Sequence, residues 1–309
     1  MSFSSALAYR DDVVALFPGQ GSIAHGAGAP WRASPHWSVV ATVSEVSGVD
    51  VEYLLLEAPD DEIIRTDNAQ LATFALSLVG FGELLERGVR PRFHLGHSLG
   101  EFSALVAAGV LTLDDGARVI AARGRAMARA AQRSDGSMVA VMGASDGARE
   151  ALGTIDELWV ANVNGEGQIV VSGTRPALDE LLARHRDLGW RRATPLAVGG
   201  AFHSPLMADA QDDLDHALAN VTFHDSETRV IANVDASTPS ESQRWRGLLS
   251  RQLTSPVEFL AACLALPSSV TTTIEMPPGN VLTGLTKRIR TFDAQYAPTN
   301  PLEYRELSL

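Results

Sequence analysis

Two residues of the 309-residue chain carry the strongest chemical signal. Ser98 sits at the centre of Gly96-His97-Ser98-Leu99-Gly100, a G-x-S-x-G between the apolar run Phe93-His94-Leu95 and a helical pattern from Glu101. The glycines let the backbone turn sharply, so the serine projects from a strand-to-helix elbow. The Leu99 N–H then faces the place where an oxyanion would form, and the helix dipole favours negative charge there. A serine nucleophile needs a base. His203, in Gly199-Gly200-Ala201-Phe202-His203-Ser204-Pro205, is the candidate, because a Gly-rich loop exposes it between an apolar run and a helix. His97 is expected to point away from the hydroxyl. His25, His36, His94, His185, His216 and His224 fall in surface or packing contexts. No carboxylate stands out to orient the base; Asp209, Asp213 and Asp235 are candidates.

These side chains need a scaffold, and the apolar pattern supplies one. Val13-Val14-Ala15-Leu16-Phe17 predicts a buried strand running into the turn Pro18-Gly19-Gln20-Gly21-Ser22. Helical spacing covers 35–56, 69–87 and 113–131. From Ser134 the texture becomes strand, helix, strand, strand, helix, strand, ending near Leu196; this is the split βαβ order of a ferredoxin-like lobe. Strand-and-helix texture resumes after Val198. The expectation is an α/β core made of 1–133 and 199–309, interrupted by an inserted subdomain at 134–198.

Composition excludes several classes. With 45% hydrophobic and 20% charged residues the chain can bury a large core, so disorder and coiled coil are excluded as the main organisation. A formal charge of −12 argues against nucleic acid as the main partner. The single cysteine, Cys263, excludes an internal disulfide and a cysteine-cluster metal site; its apolar setting predicts a buried thiol. No apolar run approaches the ~18 residues of a membrane span. The N-terminal residues lack the basic flank and apolar stretch of a signal peptide, so a cytoplasmic protein is expected.

Five motifs then occur in a shared order: Phe17-Pro18-Gly19-Gln20-Gly21-Ser22; Gly96-His97-Ser98-Leu99-Gly100-Glu101; Asn162-Val163-Asn164 with Gln168-Ile169-Val170-Val171-Ser172-Gly173; Ala201-Phe202-His203-Ser204; and Pro278-Gly279-Asn280-Val281-Leu282. From Val13 to Ile289 the chain resembles malonyl-CoA:acyl carrier protein transacylases and the acyltransferase domains of polyketide synthases. The resemblance implies an α/β-hydrolase-like core with an inserted ferredoxin-like subdomain, and ping-pong acyl transfer in fatty acid or polyketide biosynthesis. Ser98 would attack the thioester of malonyl-CoA with His203 as base, and the phosphopantetheine thiol of an acyl carrier protein would collect the acyl group. The same resemblance makes Gln20 and the Leu99 amide the oxyanion hole. It assigns the Gln252 backbone carbonyl to orient the histidine and Arg123 to grip the malonyl carboxylate. Phe202, His97 and Asn162 would line the substrate site, with no metal and no resident cofactor. A guanidinium suits a carboxylate because two parallel N–H···O bonds fix its orientation. The chain departs from the family at Ile23, Met276-Pro277 and Asn68-Ala69-Gln70, which bears on the acyl pocket and the carrier surface and removes no catalytic group.

Other readings share parts of this machinery. A free-standing polyketide acyltransferase for a different acyl group would keep Ser98 and His203 and change the pocket. A serine thioesterase should use a carboxylate third member and has no need of Arg123. A docking protein without chemistry would have no use for Gln20, Ser98 and His203 together. An acidic carrier meets an acidic enzyme here, so docking must rest on a local basic patch. Arg184, Arg186, Arg191 and Arg192 on the inserted lobe, with Arg125, Arg129 and Arg133 leading into it, are the candidates.

Overall fold

A computed structural model describes residues 8–308. Its strands are β1 (Tyr9–Phe17), β2 (Arg90–Gly96), β3 (Gly136–Ala144), β4 (Leu158–Gly165), β5 (Gln168–Thr174), β6 (Trp190–Pro195), β7 (Arg229–Ile231), β8 (Thr272–Glu275) and β9 (Ala294–Tyr296). They form a mixed α/β fold with two separate sheets. One is wholly parallel, in the order β7-β2-β1-β8-β9. The other is antiparallel, in the order β4-β5-β3-β6.

The uninterrupted apolar run of β1 follows from its place near the middle of the parallel sheet, with both faces covered. Val13, Ala15 and Phe17 pack into the main core, while Val14 and Leu16 face a second cluster with Phe259 and Cys263. Cys263 is accordingly buried, and burial pushes its thiol pKa well up. β1 also starts four residues before the apolar run. The pairing of Tyr9 and Arg10 with Arg90 and Pro91 extends it, and the Arg90 and Arg92 guanidinium groups lie over the Tyr9 ring at 4.1 and 4.2 Å.

The helix expected over 35–56 is broken. A short 3-10 turn at Pro35–Trp37 leads into Ser38–Ser47, and a second helix covers Val51–Leu56. Gly48 ends the first in the left-handed region (φ 71°), and the Asp50 side chain caps the second by accepting from the Tyr53 N–H at 2.9 Å. The spacing had joined two helices that their caps divide.

The antiparallel strands all lie between 136 and 195, with helices Ala148–Leu152 and Arg175–Arg184 completing a β-α-β-β-α-β order. Under these helices the lobe has its own core, including Val139, Val141, Val171, Leu181 and Trp190. Met138, Ala161 and Val170 instead join the main core beside Phe202. Val257 clips the lobe edge to the rest: its N–H donates to Ala161 O and its carbonyl accepts from the Val163 N–H, each at 2.9 Å. No helix among the described residues is long and apolar enough to cross a membrane.

Candidate active site

Three neighbouring parallel strands deliver the site. Gln20 follows β1, Ser98 follows β2 and Asn233 lies just past β7, all at the carboxyl edge of the sheet, where open α/β sheets place their ligands.

Ser98 precedes the Leu99–Ala107 helix with φ 52° and ψ −112°, a conformation that costs a non-glycine residue about 1–3 kcal/mol. Neighbouring groups hold it there. The Ser98 N–H donates to Asn233 Oδ1 at 2.7 Å, and Asn233 Nδ2 donates to Gly96 O at 2.8 Å. The Ser98 carbonyl accepts from Gln252 Nε2 at 2.9 Å and from the Glu101 N–H at 3.0 Å. The two glycines have steric reasons beyond flexibility. A Cβ on Gly100 would lie 1.9 Å from Phe17 O, and one on Gly96 would lie 2.0 Å from the Gly100 carbonyl carbon. Gly100→Ala is therefore expected to cost at least about 3 kcal/mol, since backbone rather than a side-chain tip must move. A denaturant midpoint indistinguishable from that of the unsubstituted protein would contradict the tight elbow.

His203 Nε2 lies 2.8 Å from Ser98 Oγ, and His203 Nδ1 lies 2.8 Å from the Gln252 carbonyl. A carbonyl only accepts, so Nδ1 carries the proton and Nε2 is left to accept from the serine hydroxyl. Burial, with the nearby Arg123 charge second, lowers the His203 pKa to about 3, so the ring is neutral at pH 7. None of the three candidate acids orients it. Asp209 and Asp213 pair with Arg133 and Arg129 at 3.3 and 2.6 Å, and Asp235 accepts from the Ser237 N–H. Those contacts also neutralise two of the candidate docking arginines; Arg184 pairs with Glu180. Arg191 and Arg192 are exposed on β6.

Arg123 is fully buried although it lies on a helix with exposed arginines on either side. Its Nη1 donates to Gln70 Oε1 at 2.6 Å, and its Nη2 donates to Gln252 Oε1 at 2.9 Å and Ser98 Oγ at 3.1 Å. Its Nε has no partner among the described residues. Burial lowers the Arg123 pKa to about 10, which still leaves it charged at neutral pH.

A cleft of about 380 Å³ opens beside these groups, with Gln20, His97, Ser98, Asn162, Phe202 and His203 on its wall. Three larger cavities, of about 600, 630 and 420 Å³, contain neither Ser98 nor His203. As the first residue of its helix, Leu99 has an N–H without an intrahelical acceptor. The Gln20 amide nitrogen stands 3.5 Å from Thr66 Oγ1. His97 turns away from the serine hydroxyl: its Nε2 meets Asn164 Oδ1 at 2.9 Å, its ring lies 5.4 Å from that of Phe259, and burial lowers its pKa. Six of the residues proposed from the sequence thus line one cleft, and Arg123 and Gln252 bond Ser98 and His203 from behind it, while the candidate acids and docking arginines lie elsewhere. The geometry adds Gln70, Glu101, Asn164 and Asn233, which sequence reasoning did not assign. Glu101 and Asn164 lay inside quoted motifs, and Gln70 appeared only as a departure from the family pattern.

The family model described as acyl transferase domain matches residues 14–300. Among curated proteins, the malonyl CoA-acyl carrier protein transacylase of Bacillus subtilis (strain 168) is 35% identical over 282 residues, 89% of each chain. Among solved structures, the malonyl-CoA:acyl carrier protein transacylase of Xanthomonas oryzae pv. oryzae aligns with a TM-score of 0.91 and 37% identity, covering 97% of this chain and 98% of that one. A type II PKS acyl-carrier protein in complex with its malonyl-transacylase aligns with a TM-score of 0.89 and 31% identity, covering 96% and 99%.

Proposed function

The chain belongs to the acyl transferase domain family, and from that premise we propose that it moves a malonyl group from CoA to the phosphopantetheine thiol of an acyl carrier protein. The relatives carry that activity in their names, and one is seen with its carrier. The observation that favours a malonyl group is Arg123, a buried cation 3.1 Å from the candidate nucleophile with an N–H left unpartnered. An acyl group that ends in a carboxylate satisfies such a cation. One without a carboxylate leaves it as it is.

In this reading His203 Nε2 takes the Ser98 proton as Oγ bonds to the thioester carbonyl carbon. The carbonyl oxygen becomes an oxyanion held by the Leu99 N–H and the Gln20 amide. Collapse breaks the C–S bond, and the CoA sulfur leaves with the proton from His203. The carrier thiol then repeats the steps in reverse order of groups, giving its proton to His203 and regenerating Ser98. Arg123 meets the free carboxylate, and acylation of Ser98 Oγ weakens the acceptor that the hydroxyl offers Arg123 Nη2. Phe202, His97 and Asn162 shape the acyl pocket beside it. The ring of Phe202 supports selection against α-branched acyl groups by occupying the space a branch would need.

The fold reading that accompanies this function is an α/β-hydrolase-like core of 1–133 and 199–309 with a ferredoxin-like lobe at 134–198, supported by the strand orders of the two sheets. The machinery uses side chains and backbone alone, without a resident cofactor, and serves fatty acid or polyketide biosynthesis in the cytoplasm. Mass spectrometry of Ser98 after mixing with malonyl-, methylmalonyl- and acetyl-CoA tests the proposal. A malonyl adduct should dominate; a dominant acetyl adduct would overturn the substrate reading while keeping the acyl transfer.

A further inference from the structure

Glu101 lies in the first turn of the elbow helix, fully buried, and takes no part in the reaction just described. Its two carboxylate oxygens serve different partners. Oε1 accepts from the Asn233 N–H at 2.8 Å, and Oε2 accepts from Gln252 Nε2. Both partners hold the nucleophile: Asn233 Oδ1 binds the Ser98 N–H, and Gln252 Nε2 also binds the Ser98 carbonyl. Gln252 carries two more duties. Its side-chain oxygen accepts from Arg123 Nη2, and its backbone carbonyl holds His203 Nδ1.

We propose that Glu101 is a positioning residue for acyl loading, whose ionised carboxylate sets the orientation of the Gln252 amide and through it joins Ser98, His203 and Arg123 into one rigid unit. This rests on the acyl transfer reading given above.

The argument is one of donors and acceptors. Gln252 has one oxygen and one NH₂ to distribute among Arg123, which only donates, Ser98 O, which only accepts, and residue 101. With an acceptor-only carboxylate at 101, the NH₂ faces Glu101 and Ser98 O, the oxygen faces Arg123, and every contact is satisfied. A glutamine at 101 must keep its oxygen on the Asn233 N–H, so its NH₂ confronts the NH₂ of Gln252. Flipping the Gln252 amide cures that contact and creates two others, oxygen against Ser98 O and NH₂ against Arg123. Buried mismatches of this kind are costly because no water can repair them. A protonated Glu101 faces the same conflict.

Charge points the same way. Arg123 makes no direct ion pair among the described residues, and Glu101 is the acid whose charge acts on it, across the Gln252 amide. Burial pushes the Glu101 pKa up to about 7, while the Asn233 N–H, the Gln252 amide and Arg123 draw it down and Asp235 raises it.

The test is a double-mutant cycle on Ser98 loading from whichever acyl-CoA the wild-type enzyme accepts, with thermal unfolding recorded for each variant. Glu101→Gln should lower the loading rate at least about tenfold, and Glu101→Asp, which keeps an acceptor-only group on a shorter arm, should recover part of it. In an Arg123→Ala background the same Glu101→Gln change should cost less, because the flipped Gln252 no longer meets the guanidinium. Equal losses in both backgrounds, or no loss in either, overturn the proposal without touching the acyl transfer reading. Failure of the wild-type enzyme to load any acyl group would instead strike that reading. If Glu101→Gln does not fold, the wild-type pH profile decides. Loading should fall as pH drops through neutrality, with an apparent pKa that barely moves with temperature, as for a carboxyl. A strongly temperature-dependent, imidazole-like inflection, or none near neutrality, overturns the proposal.

Discussion

Ser98→Ala is expected to abolish acyl-enzyme formation, and His203→Ala to slow loading by about 10²–10⁴-fold, the usual contribution of a positioned general base. The difference between the two follows from the geometry. Without Oγ no atom in the cleft replaces the nucleophile, whereas without the imidazole the hydroxyl stays in place under Asn233, Gln252 and Arg123. Arg123 Nη2, 3.1 Å from Oγ, also favours an alkoxide electrostatically, which leaves the histidine variant residual activity. Since burial holds the His203 pKa at about 3, the base remains available well below its ordinary range. Radiolabel from malonyl-CoA retained on denatured Ser98→Ala protein would sink the assignment. A His203→Ala enzyme loading within a few-fold of wild type would move the base elsewhere.

The parts of this site that are legible in the sequence are those whose requirement is local. A nucleophile elbow needs glycines within two residues of Ser98, and a loop histidine such as His203 can be singled out by its glycine-rich flank. The separate antiparallel sheet is legible because a run of strand and helix patterns between 136 and 195 differs in texture from its flanks. β7, β8 and β9 have three or four residues each, too few to show a period, and their place in the sheet comes from parallel pairing with distant strands. The same holds for the residues that brace the site. Glu101 meets Asn233 across 132 positions and Gln252 across 151, so no spacing rule connects them. Gln70 is instructive in another way. It reads as a departure from a family run, yet it anchors Arg123 from a neighbouring helix at 2.6 Å. The carbonyl of Gln252 could be named only through the family resemblance, because a backbone group has no signature of its own.

Arg123→Ala is expected to lower kcat/KM for malonyl loading by about 10²–10⁴-fold, as removal of one partner from a buried charge pair costs about 3–5 kcal/mol. Acetyl loading should fall far less, and the malonyl-to-acetyl ratio should collapse. The reasoning begins with burial: the guanidinium is sealed from water, and neither Gln70 nor Gln252 supplies a negative charge to it. A malonyl carboxylate provides that charge at the moment of binding, while an acetyl group leaves the cation as it was. Two consequences separate this account from simple damage. Glu101 loses the cation that draws its pKa down, so its pKa should rise further above about 7 and the acid-side loss of activity should move to higher pH. Arg123→Lys keeps a charge but not the planar fork that reaches Gln70, Gln252 and Ser98 together, so it should restore only part of the malonyl rate. An unchanged malonyl-to-acetyl ratio in Arg123→Ala would show that Arg123 holds the fold and leaves the acyl group unread.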